Sequence, residues 1–369
     1  MQPSRSSVDP ILLTLVIILV LGGFLVFTSA ALGLLARDGA TFQNVAFNQF
    51  FFGIVGGGLA LTFTTMVHYR HWRQFAFYIF LATCLLAALV YVPGIGFTYG
   101  GATRWISVGG FSIQPAEFLK IGFIIYLATW LSGVYKQIHT FRRGTLPFLS
   151  LLAIPGVILL GQPDTDSFLI IAAASTAMFL VAGGRWRDIF LLSLLGIILL
   201  TSLAFSRPYV MDRLTSFMDP SLDPQGSGYQ ISQSLIAIGS GGITGRGFGQ
   251  SVQKFEYLPE PIGDSIFAVY AEEFGFIGTV ILVLLLSIFT FRGYRLATEA
   301  RDLFGMLLVV GIMTFIVFQA FLNIASMVGL APIAGIPLPF ISHGGTALLA
   351  TLAAVGIVLN VSKYRTKRT

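Results

Sequence analysis

Apolar runs long enough to cross a bilayer recur along the whole chain, and no other feature constrains its fold as much. A membrane-spanning helix needs about 20 mostly apolar residues. Ten such runs are legible, at roughly 11–35, 47–67, 75–92, 115–134, 146–160, 168–183, 188–206, 266–291, 303–328 and 346–362. Only 10% of the 369 residues are charged and 55% are apolar, whereas a soluble domain carries roughly a quarter charged residues. Such a chain cannot dress a water-facing surface. The predicted class is an all-α polytopic membrane protein with ten transmembrane helices. A single membrane domain, 11–362, lies between a short tail at 1–10 and a basic tail at 363–369. The fifth and sixth runs are short, which implies tilt or shielding by neighbouring helices. The first, Ile11 to Leu35, exceeds the apolar core of a secretory signal and reads as a retained helix.

Lys and Arg set the orientation. With both termini cytoplasmic, 15 of the 22 bases fall on the inner side: Arg5, Arg70, Arg73, Lys136, Arg142, Arg143, Arg185, Arg187, Arg292, Arg295, Arg301, Lys363, Arg365, Lys367 and Arg368. The formal charge of +6 therefore marks membrane topology, and no basic stripe of the kind that binds nucleic acid is present. Acids do the reverse, 12 of 16 lying on or near the outer face. Solvation of outer loops explains that excess, and so does an outward-facing polar site. The lone cysteine, Cys84, excludes an intrachain disulfide.

The longest connection, 207–263, is expected outside, and a loop of that length is usually functional. It holds an amphipathic stretch from Tyr229 to Ile238, then a glycine-rich run from Gly239 to Gln250. Glycine permits positive φ and close approach to a ligand. The run lacks the spacing of a nucleotide loop, so two readings remain: approach to a phosphate, or a structural hinge.

Four polar groups stand where ionisable residues are costly and hence candidates for function. Gln114 to Lys120 opens the fourth span, with Glu117 and Lys120 at i, i+3 able to pair or to serve a site. Gln162 to Ser167 precedes the sixth, where one acid after Pro163 suits a helix cap but two exceed that need. Leu258 to Ser265 precedes the eighth, with Glu272 and Glu273 two turns on. Asp264 there adjoins an apolar run, so partial desolvation would raise its pKa toward that of a general base, although an N-cap role is equally open. Gly335 to Thr346 enters the tenth, with Asn323 in the ninth; its prolines and glycines imply broken backbone at membrane depth. His68, His71 and His139 read as interfacial residues, and no zinc-site spacing or serine triad occurs.

These segments, in this order, resemble the SEDS family of bacterial cell-wall proteins, typified by FtsW and RodA. The matches are Arg104-Trp105-Ile106, Gln114 to Lys120, Gln162-Pro163-Asp164, Gly228-Tyr229-Gln230, Ile238 to Gly242, Leu258-Pro259-Glu260 with Asp264, Glu272 to Gly275, and Gly335 to Ser342. The loop before Asp264 is more like FtsW than RodA. Asp166 with Ser167, Ile262-Gly263 and His343 depart from the family pattern. The resemblance implies ten transmembrane helices with a large extracytoplasmic loop between the seventh and eighth. It also implies a peptidoglycan glycosyltransferase that polymerises lipid II and releases undecaprenyl diphosphate, in division or elongation.

Inverting sugar transfer needs a base for the acceptor hydroxyl and positive charge at the departing diphosphate. The resemblance makes Asp264 the base. Arg104, Lys120, Arg246 and Lys254 are the outer cations able to hold diphosphate, with Glu117, Asp164, Glu260 and Ser342 in support. Mg²⁺ or Mn²⁺ would suit the oxygen ligands of such a site. A class B penicillin-binding protein (a transpeptidase), with other divisome or elongasome proteins, is the implied partner. The rivals are a flippase or ion-coupled carrier, which would want polar sites at the midplane and repeat symmetry, and a docking scaffold, which would leave the polar clusters unexplained.

Overall fold

A computed structural model describes residues 7–37, 39–99, 102–108, 111–223 and 226–365. Arg5, Lys367 and Arg368, counted above among the inner bases, lie outside the described residues. The spans fold as helices α1 (Pro10–Arg37), α2 (Phe42–Met66), α3 (Tyr69–Ala88), α4 (Pro115–Val134), α5 (Leu146–Gly161), α6 (Thr165–Val181) and α7 (Trp186–Ser206). The connection after α7 carries α8 (Pro208–Met218) and α9 (Ser227–Ser240), and the bundle is completed by α10 (Ile266–Thr298), α11 (Leu303–Met327) and α12 (Gly345–Ser362). Nine helices among the described residues are long and apolar enough to cross a membrane; α6 is apolar but has 17 residues. Each expected run coincides with one of these ten elements. The structure is all-α in its membrane portion, as the apolar runs require, because unpaired backbone cannot face lipid.

Helices α11 and α12 form the centre, with 72% and 83% of their most apolar stretch buried, whereas α7 has 12% and faces outward. The start of α1 and the end of α12 meet at one end. Asp9 N donates to Ser362 Oγ at 3.0 Å, and the Asp9 carboxylate binds both Arg292 and Arg365. At the same end Tyr69 N donates to Asn360 Oδ1 at 2.8 Å, and Asp302 pairs with Arg70 at 3.0 Å. The site lies at the opposite end.

Two features there escape hydropathy. Three short strands form an antiparallel sheet, β1 (Gly96–Tyr99), β2 (Ala102–Val108) and β3 (Phe111–Ile113), in the order β1-β2-β3. Ile106 pairs with both Gly96 and Ile113. The strands are too short for their alternation to stand out.

The second feature is the glycine-rich run. Helix α10 breaks at Gly275, whose φ of 63° and ψ of −164° no helix accommodates. The broken ends are satisfied by the run itself. Phe276 N and Ile277 N donate to Gly242 O and Ile243 O at 2.9 and 3.1 Å. In return Arg246 N and Gly247 N donate to Glu272 O and Glu273 O at 3.0 and 2.9 Å. A β-carbon at Gly245 would lie 2.1 Å from Glu273 O. The close approach that glycine allows is therefore to another backbone, which favours the structural reading over the phosphate one.

Candidate active site

The backbone around Asp264 is bonded from three sides. Residues 260–265 turn tightly, Gly263 N and Ser265 N both donating to Glu260 O at 3.1 and 3.2 Å, with Glu260 at φ 46°. From α11, Asn323 Nδ2 donates to Asp264 O at 2.8 Å and to Ile336 O at 2.9 Å. From the segment before α12, Ser342 Oγ donates to Gly263 O at 2.7 Å while accepting from Leu338 N, and His343 N donates to Ile262 O at 2.7 Å. From α9, Gln230 Nε2 donates to Ser265 Oγ at 3.0 Å. Ser342 thus supports the site by fixing its backbone.

All these bonds hold the main chain or a neighbour, and the Asp264 carboxylate engages no hydrogen bond among the described residues. Nor is it a helix cap: Ser265 is the N-cap of α10, with no side chain accepting there. The acid is partly buried. Burial, then the nearby charges of Glu260 and Asp166, push its pKa up to about 7, against the opposing pull of Arg213 and Arg104. A carboxyl that titrates at neutrality can both take and release a proton.

Arg213 was not among the candidates drawn from the sequence, and Asp166 stood there only as the second acid of the Gln162 to Ser167 group, without a role. Arg213 Nη1 donates to Asp166 Oδ2 at 2.8 Å, and Gly335 N donates to the same oxygen at 3.0 Å. A β-carbon at Gly335 would lie 3.4 Å from Arg213 Nη2, 3.6 Å from Asp264 Oδ2 and 3.8 Å from Asp166 Oδ2. Glycine at 335 thus leaves open the space where the three side chains converge. The excess acid beside Pro163 was the available signal, since one of the two caps α6 and the other does not. Asp164 Oδ1 accepts from Ser167 N at 3.2 Å, while Asp166 faces Arg213. Arg104, on β2, approaches Asp164 at 3.9 Å and donates to Pro163 O, which brings its charge to the edge of the site.

Two expected diphosphate ligands are corrected. Lys120 is fully enclosed, its Nζ donating to Glu117 Oε1 and Gln319 Oε1, both at 2.8 Å. Gln319 in turn donates to Pro337 O at 2.9 Å, so the Glu117–Lys120 pair braces the 335–343 segment from below. Lys254 is equally enclosed, bonded to Glu273 at 2.7 Å, Gly249 O at 2.8 Å and Ser29 at 3.0 Å. It ties the glycine-rich loop to α1 and α10. Neither ammonium has a donor facing open space. Arg246 remains half-exposed beside Glu272 at 3.4 Å, and Glu260 is exposed at the rim. Among the described residues no group of three or more His, Cys, Asp or Glu is placed to hold a metal ion.

Comparison with known proteins extends this geometry. The chain is 40% identical over 365 residues to stage V sporulation protein E of Bacillus subtilis, covering 99% of both. It is 38% identical over 357 residues to a probable peptidoglycan glycosyltransferase FtsW of Geobacter sp., covering 96% of both. Among solved structures, a chain of a peptidoglycan synthase complex that coordinates polymerisation and crosslinking superposes with a TM-score of 0.80 at 29% identity, over 98% of this chain and 99% of that one. The rod shape determining protein RodA of Thermus thermophilus superposes at 0.72 and 26% identity, over 99% of this chain and 100% of that one. Residues 10–367 match the FtsW/RodA/SpoVE profile, described as cell cycle protein. The chain belongs to the FtsW/RodA/SpoVE family.

Proposed function

We propose that this chain is a peptidoglycan glycosyltransferase that polymerises lipid II at the outer face of a bacterial cytoplasmic membrane. One observation carries the reading: an unengaged carboxylate, Asp264, titrating near neutrality beside two arginines in a family whose members include named glycosyltransferases. In the reaction, Asp264 removes the proton of the acceptor 4-hydroxyl. The acceptor oxygen bonds to the donor's anomeric carbon, the bond from that carbon to the diphosphate breaks, and its electron pair leaves with undecaprenyl diphosphate. A second carboxylate nucleophile is not needed for inversion. Arg213 and Arg104 sit where charge develops, and fixed cations there stabilise the departing group without reorganisation. Arg246 is exposed enough to meet a headgroup at the rim.

Mg²⁺ or Mn²⁺ would enter this scheme as a companion of the substrate's diphosphate. A class B penicillin-binding protein would crosslink the strands made here, a pairing supported by the likeness to a peptidoglycan synthase complex.

The test is polymerisation of labelled lipid II by the purified chain, with and without a partner transpeptidase. Asp264→Asn is nearly isosteric and is expected to fold and lose about 10²–10⁴-fold in rate, the span of general acid–base catalysis. Wild-type polymerisation by folded Asp264→Asn protein would overturn the mechanism.

A further inference from the structure

The mechanism uses the charge of Arg213 but leaves its partner Asp166 unexplained. An acid in the first turn of α6 gains from the helix dipole, and for an exposed residue that would suffice. Asp166, however, is 7% exposed and spends one oxygen on two distant elements, the guanidinium of α8 and the backbone N–H of Gly335. Those same elements border Asp264, because the space above Gly335 is walled by Arg213, Asp166 and Asp264 together. The charged groups facing Asp264 are Glu260, Asp166, Arg213 and Arg104.

We propose that Asp166 is a positioning residue, holding Arg213 and the Gly335 backbone against Asp264 while offsetting the arginine's charge, so that Asp264 stays a strong enough base for the acceptor proton. This rests on Asp264 being the base. A lone guanidinium within about 4–6 Å would depress a carboxylate by roughly 1–3 pH units, and a weaker base removes protons less effectively. Pairing Arg213 with a buried acid keeps its donors in place for the diphosphate without that penalty. The direction agrees with Asp166 being one of the groups that raise Asp264.

The pH dependence of turnover at saturating lipid II separates this role from a structural one. Asp166→Asn keeps an oxygen for Arg213 and Gly335 but removes the charge. The acid limb of its profile is expected to move down by roughly one pH unit, with a lower plateau. Arg213→Gln removes the opposing charge and is expected to move the limb up. The double variant should bring the limb back toward wild type, since the two changes act on one neighbour. Limbs that stay fixed in both single variants while rates fall would overturn the proposal. An upward shift in Asp166→Asn would also overturn it, because the arginine would then have been released rather than unmasked. If Asp166→Asn does not fold, the direction of the Arg213→Gln shift decides alone. Asp264→Asn in the same assay tells the two readings apart: activity there sinks the base itself, whereas an inactive Asp264→Asn with unmoved limbs sinks only the role of Asp166.

Discussion

At Asp264 the groups that favour the neutral acid outweigh the two arginines, so the folded chain holds its proton up to about pH 7. An unfolded aspartate releases it near 3.9. Between those values the folded state binds a proton that the unfolded state does not, so stability falls as pH rises. The contribution is fully present below the unfolded value and lost above the folded one. Asn cannot ionise. The melting temperature of Asp264→Asn relative to wild type is therefore expected to rise from pH 5 to pH 8, and a pH-independent gap would refute the burial argument. Asp264 was legible in the sequence because an apolar run follows it directly. Arg213 was not, since its partner lies 47 positions away and Gly335 lies 169 from Asp166. Lys254 was misassigned for the converse reason: a lysine in a polar loop resembles a free cation until its enclosure by Ser29 and Glu273 is known.

Elements here are defined as much by interruption as by apolar length. Ridges of Leu, Ile and Phe marked every span, yet the break in α10 leaves almost no hydropathic trace. Gly275 follows Phe274 inside a run that reads as continuous. What requires glycine is its neighbour. A β-carbon there would lie 2.3 Å from Gly245 N and 2.7 Å from Ile243 O, and the ψ of −164° at positive φ is a region essentially confined to glycine. Gly275→Ala is expected to destabilise by at least about 1–3 kcal/mol from backbone strain alone. It should also loosen the exchange of hydrogen bonds with residues 242–247. Gly239→Ala, in α9 with nothing within 4 Å of the added carbon, should be neutral or stabilising by up to about 1 kcal/mol. Thermal melts of the two variants in parallel check this, and equal melting temperatures would remove the break from the list of constraints.

For the whole molecule, the meeting of the start of α1 with the end of α12 bears on a question that helix length leaves open. Asp9 is bonded to Ser362 and paired with Arg365, so α1 begins and α12 ends at one side of the bundle, and an even number of crossings between them is expected. Nine long helices alone would leave the ends on opposite sides. The element that restores parity is α6, whose 17 residues rise only about 26 Å at 1.5 Å each, short of a hydrocarbon core of about 30 Å. Its packing against α11 allows it to cross without meeting lipid on all sides, and Asp164 and Asp166 anchor its start at the end that holds the site. Basic loops give the expected side. Lys136, Arg142 and Arg143 precede α5, and Lys363 with Arg365 follow α12, and such residues favour the cytoplasm. Reporters fused after Ser362 and within 136–144 are expected to read inside, and one within 215–230 outside. An outside signal from 136–144 with the terminal fusion inside would mean that the chain between them crosses an odd number of times. That result would take α6 out of the spanning set and put Asp164 and Asp166 on the cytoplasmic side, away from Asp264 and from the Arg213 that Asp166 pairs with.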